Sequence, residues 1–120
     1  MKKLKDYGFN SDNKTYIIAE IGINHGGDIS TAKRLIDSVA RTGADAVKFQ
    51  TYLTEKRVPR NSPIFNILKK CQLPFEAFKE LKLYSKKLNI DFFSTPFDNE
   101  SVEYLESINT DLYKIASFDI

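Results

Sequence analysis

The stretch Asp45-Ala46-Val47-Lys48-Phe49-Gln50-Thr51 decides how the rest of the chain is read. Side chains alternate along a strand, so Lys48 and Gln50 share one face and Val47 and Phe49 the other. A strand buried on both faces of an open parallel sheet reads as almost wholly apolar. Barrel enzymes instead aim polar groups from the C-terminal ends of their strands into the barrel mouth. Two further strand-like runs carry a charge in the same way. Thr15-Tyr16-Ile17-Ile18-Ala19-Glu20-Ile21, closed by Gly22, sets Glu20 opposite Ala19 and Ile21; Leu112-Tyr113-Lys114-Ile115-Ala116-Ser117 sets Lys114 opposite Tyr113 and Ile115.

Helical patterns separate these runs. Asp28, after Gly26-Gly27, is placed to cap a helix. Ala32, Leu35, Ile36, Val39 and Ala40 then form one apolar stripe, which Gly43 ends. Residues 52–73 make a long connection holding Arg57-Val58-Pro59-Arg60-Asn61-Ser62-Pro63 and a short helix over 64–71. Pro74 opens a helix with Phe75, Phe78, Leu81, Tyr84 and Leu88 on one side. Asp91-Phe92-Phe93-Ser94-Thr95 reads as the third strand, broken by Pro96, and 99–108 as a helix whose Val102, Leu105 and Ile108 share a face. The order βαβαβαβ calls for parallel strands with right-handed crossovers. Of the two parallel architectures, the charged strand ends favour an α/β (β/α)8 TIM barrel over a doubly wound sheet. Such a barrel needs eight strands and about 250 residues, so 120 residues cover about its first four βα units. Residues 1–14 are expected as a lead-in and 15–120 as the first half of the barrel, with Asp119-Ile120 no natural terminus. An open half-barrel exposes strand edges and is expected to associate or to be marginally folded alone.

Composition narrows the function classes. With 42% hydrophobic and 28% charged residues the chain is globular. Lys+Arg 18 against Asp+Glu 16 leaves +2, too balanced for a nucleic-acid footprint. The single cysteine, Cys71, excludes an internal disulfide and a Cys-cluster metal site, and a reducing, cytoplasmic compartment is the default. No apolar run approaches the roughly 20 residues of a membrane span. Met1-Lys2-Lys3-Leu4-Lys5 has no apolar segment behind it, against a secretory leader.

Glu20, Lys48, Gln50 and Lys114, with the hydroxyls of Thr95 and Ser117, are placed to converge on one mouth. Two ammonium groups beside hydroxyl donors suit a small phosphorylated anion, and a carboxylate next to them can orient or deprotonate a hydroxyl or water. Plainer readings stand beside this. A lone strand lysine can snorkel or pair with a core carboxylate, and Glu20 can be that counter-ion. His25 is the only histidine and cannot make a metal site; a loop residue bonded to backbone is the commoner case. Gly26-Gly27 fits a turn rather than a nucleotide cradle. Arg57 and Arg60 either reach over the mouth or sit as solvated loop charges, and Phe75, Phe78 and Leu81 belong to the core.

Four stretches in order resemble the sialic acid synthase family, which makes N-acetylneuraminate and other nonulosonic acids: Ile18-Ala19-Glu20-Ile21-Gly22-Ile23-Asn24-His25-Gly26-Gly27, Gly43-Ala44-Asp45-Ala46-Val47-Lys48-Phe49-Gln50-Thr51, Phe93-Ser94-Thr95-Pro96-Phe97, and Tyr113-Lys114-Ile115-Ala116-Ser117. The resemblance covers nearly the whole chain from residue 15. It implies a TIM barrel followed by a small antifreeze-like domain, in a homodimeric enzyme that condenses phosphoenolpyruvate with an acetamido sugar and releases phosphate. On that resemblance Lys48, Thr95, Lys114 and Ser117 hold phosphoenolpyruvate, Glu20 lies at the reacting carbons, and Gln50 and Asn61 contact the sugar. The divalent metal it implies, Mn²⁺ or Mg²⁺, takes its ligands from later strands outside this chain. Phe49 and Tyr52, where many sialic acid makers have histidines, and the Ala-Ser-Phe run at 116–118 look more like the pseudaminic acid synthase branch.

Two other readings compete. Lys48 or Lys114 can be the Schiff-base lysine of a barrel aldolase. The 120 residues as isolated can also be a catalytically inactive fragment of an active parent, with no nucleic-acid or membrane partner in any reading.

Overall fold

The computed structural model describes residues 4–7 and 15–120. Most of the expected lead-in and of the leader test therefore lies outside the described residues; within it, Leu4–Tyr7 form a short 3-10 turn. From residue 15 the elements are β1 (Ile18–Gly22), α1 (Ile29–Thr42), β2 (Ala46–Thr51), α2 (Thr54–Arg57), α3 (Phe65–Cys71), α4 (Phe75–Lys87), β3 (Asp91–Pro96) and α5 (Asn99–Ser107).

Helix α1 forms where its caps dictate. Asp28 is extended and its carboxylate accepts from the Ser30 and Thr31 amides, two donors the first turn leaves open. At the other end Gly43, at φ 79°, takes the left-handed conformation that closes the helix. The stripe between them lands as its spacing demands, with Ala32 and Ile36 fully buried. In α4, Ala77, Phe78, Leu81 and Ser85 turn inward. Both helices cover one face of the sheet, where Ile21, Val47, Phe49 and Phe92 join Ile36, Phe78 and Leu81 in one core. Phe49 stacks on Phe92 at 5.5 Å between centroids.

The three strands are parallel and lie side by side in chain order, β1-β2-β3. A doubly wound sheet reverses its order at a switch point; none of the described connections does so. Ala46 to Thr51 pair residue for residue with Asp91 to Pro96. β1 pairs Glu20 with Lys48 and then Gly22 with Phe49, so Ile21 is the extra residue of a bulge. Gly22, at φ 58°, supplies the positive dihedral that the bulge requires.

Several expectations are corrected. The expected fourth strand over 112–117 forms a single parallel bridge, Ser94 to Tyr113, with the Lys114 amide donating to the Ser94 carbonyl at 3.1 Å; Ser117–Asp119 then turn as a 3-10 segment. Among the described residues this segment has a neighbour on one side only, and one bridge is all its ladder gains. β1 starts at Ile18 rather than Thr15, because the Ile17 amide is taken by the Asp45 carboxylate at 2.7 Å. Pro96 does not break β3 but closes it, since its missing N–H falls where the ladder ends. In α5 Val102 is exposed at 44%, and Ser101 is buried in its place beside Leu105. Helix α2 is an element that the long connection gave no sign of.

Candidate functional site

The face of the sheet opposite the helices carries the polar strand ends. Register sets Glu20 beside Lys48 and Gln50 beside Thr95. Glu20 and Lys48 form an ion pair in which the lysine side chain is 14% exposed and the carboxylate 49%. The shielded ammonium and the half-open carboxylate thus stand at the rim rather than in the core. Gly22 lies against them: a Cβ there would meet a Glu20 carboxylate oxygen at 3.0 Å and Gln50 Nε2 at 3.6 Å. Thr95 is buried at 3%. Behind this face, Thr51 and Ser94 share a hydrogen bond of 2.8 Å on the core side, which pairs these two buried hydroxyls.

Arg57 joins this group from α2. Its guanidinium donates to Gln50 Oε1 at 2.9 Å and lies 3.8 Å from the Phe97 ring centroid and 4.8 Å from that of Tyr52. Burial pushes the pKa of the guanidinium down from its ordinary value, opposed by the Tyr52 phenol group. The support is built from well-separated parts of the chain. The Leu53 amide donates to Asp98, whose other oxygen caps α5, and the Thr54 amide and hydroxyl donate to Gln72 Oε1. Tyr52 donates to the Leu68 carbonyl at 2.7 Å, and Phe97 stacks on Phe118. Of the two alternatives for Arg57, the structure selects the arm over the strand ends; Arg60 is exposed. The signal available in the sequence was the aromatic residue just past the end of each of two neighbouring strands, Tyr52 and Phe97, which together offer a cation two ring faces.

The remaining candidates lie outward. Lys114 follows the Ser94–Tyr113 bridge, is exposed, and directs its ammonium to the Ile115 carbonyl. Ser117 opens the exposed 3-10 turn, and Asn61 is exposed in the turn before α3. Neither has a hydrogen bond to Glu20, Lys48 or Gln50 among the described residues. The structure brings Glu20, Lys48, Gln50 and Thr95 together in register and does not join Lys114, Ser117 or Asn61 to them.

His25 sits behind β1, buried at 3% and tilted against Phe49. Its Nδ1 accepts from the Gly27 amide at 3.0 Å, as expected of a backbone-bonded loop histidine, and Nε2 is buried without a partner. Burial lowers its pKa below the ordinary 6.5. Among the described residues no cluster of three or more His, Cys, Asp or Glu side chains can hold a metal ion. The groups present do not fit a metal by themselves. A cavity of about 330 Å³ lies at the other end of β3, lined by Lys82, Asn89, Asp91 and Asp111, away from this chemistry. No described helix is long and apolar enough to cross a membrane.

The sequence profile of the NeuB family matches residues 35–120. The N,N'-diacetyllegionaminic acid synthase of Campylobacter jejuni is 41% identical over 89% of this chain and 36% of its own length. The pseudaminic acid synthase of Helicobacter pylori is 36% identical over 87% of this chain and 35% of its own. The crystal structure of an N-acetylneuraminic acid synthetase from Leptospira borgpetersenii superposes with a TM-score of 0.85 at 44% identity, covering 89% of this chain and 38% of that one. The chain spans about a third of the length of these relatives.

Proposed function

This chain belongs to the NeuB family, and from that premise we propose that it forms the phosphoenolpyruvate-binding part of a nonulosonic acid synthase. In this reading residues 15–120 are the opening units of a (β/α)8 barrel. The observation that carries it is the Glu20–Lys48 pair across adjacent parallel strands, on the face away from the helices, with the lysine side chain shielded and the glutamate side chain half open. The chain-order sheet supports the barrel. A cytoplasmic, homodimeric enzyme with an antifreeze-like C-terminal domain completes the proposal.

The chemistry follows from what each group offers. Glu20 neutralises Lys48. An arriving phosphate competes for the ammonium and frees the carboxylate beside the reacting carbons. Thr95 and Ser117 supply hydroxyl donors to the anion, and Lys114 supplies the second positive charge. The phosphoenolpyruvate double bond gives its electron pair to the sugar's aldehyde carbon, forming the carbon–carbon bond while the aldehyde oxygen takes up a proton from solvent water. The phosphate-bearing carbon is left cationic. Water adds there with one proton passing to Glu20, and the adduct collapses to the keto acid as the carbon–oxygen bond to phosphate breaks, the hydroxyl proton leaving with the phosphate. The divalent metal that the resemblance implies would take its ligands from later strands and would supply Lewis-acid polarisation of the aldehyde; among the described residues no group of three or more His, Cys, Asp or Glu fits it. Gln50 and Asn61 are assigned to the sugar. The relative named for an N,N'-diacetylated acid favours a diacetamido hexose over N-acetylmannosamine.

The test is phosphate release by the full-length protein with phosphoenolpyruvate and Mn²⁺, in parallel with N-acetylmannosamine and two diacetamido hexoses, the keto acid being read by mass. Release with one sugar and a nine-carbon product is expected. Borohydride trapping of pyruvate on a lysine, without phosphate release, would replace the proposal with the Schiff-base aldolase.

A further inference from the structure

Arg57 takes no direct part in the chemistry above, yet it is the most elaborately held side chain near the strand ends. Its guanidinium lies over two rings set at 85° to each other, its helix is tied to Asp98 and Gln72, and among the described residues it makes one directed hydrogen bond, to Gln50. We propose that Arg57 is a positioning residue that fixes the orientation of the Gln50 amide, so that Gln50 presents its NH₂ group, and not its carbonyl, to the sugar beside Glu20.

A guanidinium has five N–H donors and no acceptor, so the amide atom facing it must be the oxygen. The amide plane is then decided and Nε2 turns the other way. There it lies 3.6 Å from the point where a Gly22 Cβ would stand, the same point that a Glu20 carboxylate oxygen approaches to 3.0 Å. Without Arg57 the amide flips between two nearly isosteric states, and in one of them it sets a carbonyl oxygen next to the Glu20 carboxylate. The rings explain why the residue is arginine. A planar guanidinium stacks on Phe97 while still donating in its own plane, which an ammonium cannot do. Gln50 gains one fixed donor, and a substrate that offers an acceptor there, such as a hydroxyl or acetamido oxygen, meets an amide already turned toward it.

This inference rests on the proposed reaction for its substrate, and its test keeps the two apart. In the full-length protein, Arg57→Met should raise the KM for the sugar by about twofold or more, because an amide free to take two orientations is competent only part of the time, with the KM for phosphoenolpyruvate little changed. Arg57→Lys should recover only part of the loss. In a Gln50→Ala background, Arg57→Met should have no further effect, because its only route to the substrate is gone. Losses that multiply in the double variant would overturn the positioning role and return Arg57 to general support of the loop. The second readout needs no turnover: the Gln50 side-chain NH₂ resonances, identified by their loss in Gln50→Ala, should move in Arg57→Met and stay in place in Arg60→Met. Unmoved resonances would overturn the inference even in an active enzyme. Moved resonances in a protein that releases no phosphate would uphold the contact and overturn the reaction.

Discussion

Lys48 shows how little a residue type decides before its neighbours are known. A lysine in a β run fits a snorkelling side chain, a Schiff-base nucleophile or an anion anchor. The partner and the exposure choose among them: an ammonium shielded by the sheet and paired with a half-open carboxylate is poised to exchange one anion for another. Removing either partner should therefore do different things. Glu20→Gln in the full-length protein is expected to lose about 10²-fold or more in rate with phosphoenolpyruvate affinity nearly kept. Lys48→Ala is expected chiefly to raise the phosphoenolpyruvate KM. Equal effects on both parameters from both variants would make the pair a structural bridge. His25 gives a separate, pH-resolved prediction. Its pKa is lowered by burial, so the unfolded chain binds the extra proton first, and stability is lost as pH falls below about 6.5. Protonation would also set an Nδ1–H against the Gly27 N–H that it now accepts from. Thermal unfolding at stepped pH should show this loss in the native protein and a smaller one in His25→Asn, which still accepts but does not titrate. Asp28, whose carboxyl is held low by the Thr31 hydroxyl and amide, contributes to acid loss only further down in pH.

At the scale of elements, what the sequence reveals is what is local. α1 is bounded by Asp28 and Gly43 because an N-cap and a left-handed C-terminal glycine act within one turn, and its stripe is a matter of spacing. α4 is legible for the same reason, and two of its leucines make the reading quantitative. Leu81 is fully buried among Ile36, Phe78 and Phe92, whereas Leu83, two residues on, is 53% exposed. Leu81→Ala should cost about 2–5 kcal/mol, and Leu83→Ala should stay within about 0.5 kcal/mol, as read by urea unfolding; comparable costs would mean that the helix face has been misassigned. What stayed hidden depends on contacts across long stretches of chain. The bulge at Ile21 exists because Glu20 and Gly22 pair with consecutive residues of β2. α2 is held by Asp98 and Gln72, neither of them a neighbour in sequence. Arg57 was legible as a candidate but not as a clamp on Gln50, since its two rings come from the ends of different strands.

For the molecule as a whole, parallel pairing in chain order makes the sheet directional: β1 has β2 on one side, β3 bridges once to residue 113, and the described residues supply nothing beyond either edge. The alternation that sent Glu20, Lys48 and Gln50 to one face was readable from the sequence, but the weak pairing of 112–117 was not, because a strand's ladder depends on its neighbours as much as on its own composition. Apolar side chains follow the same geography. Ile17 and Ile18 at one edge are 49% and 43% exposed, and Ile115 and Phe118 at the other are 60% and 71% exposed. Unpaired N–H and C=O rows flanked by such residues are templates for another chain. Residues 1–120 expressed alone should therefore sediment with an average mass that climbs above 13.8 kDa with concentration. Lysines at Ile18 and Ile115 should suppress that climb, because charge on an edge opposes strand addition. A 13.8 kDa species that stays monodisperse throughout, with protected amides in β1, would show that these edges are covered in solution by the chain itself and would count against the open half-barrel.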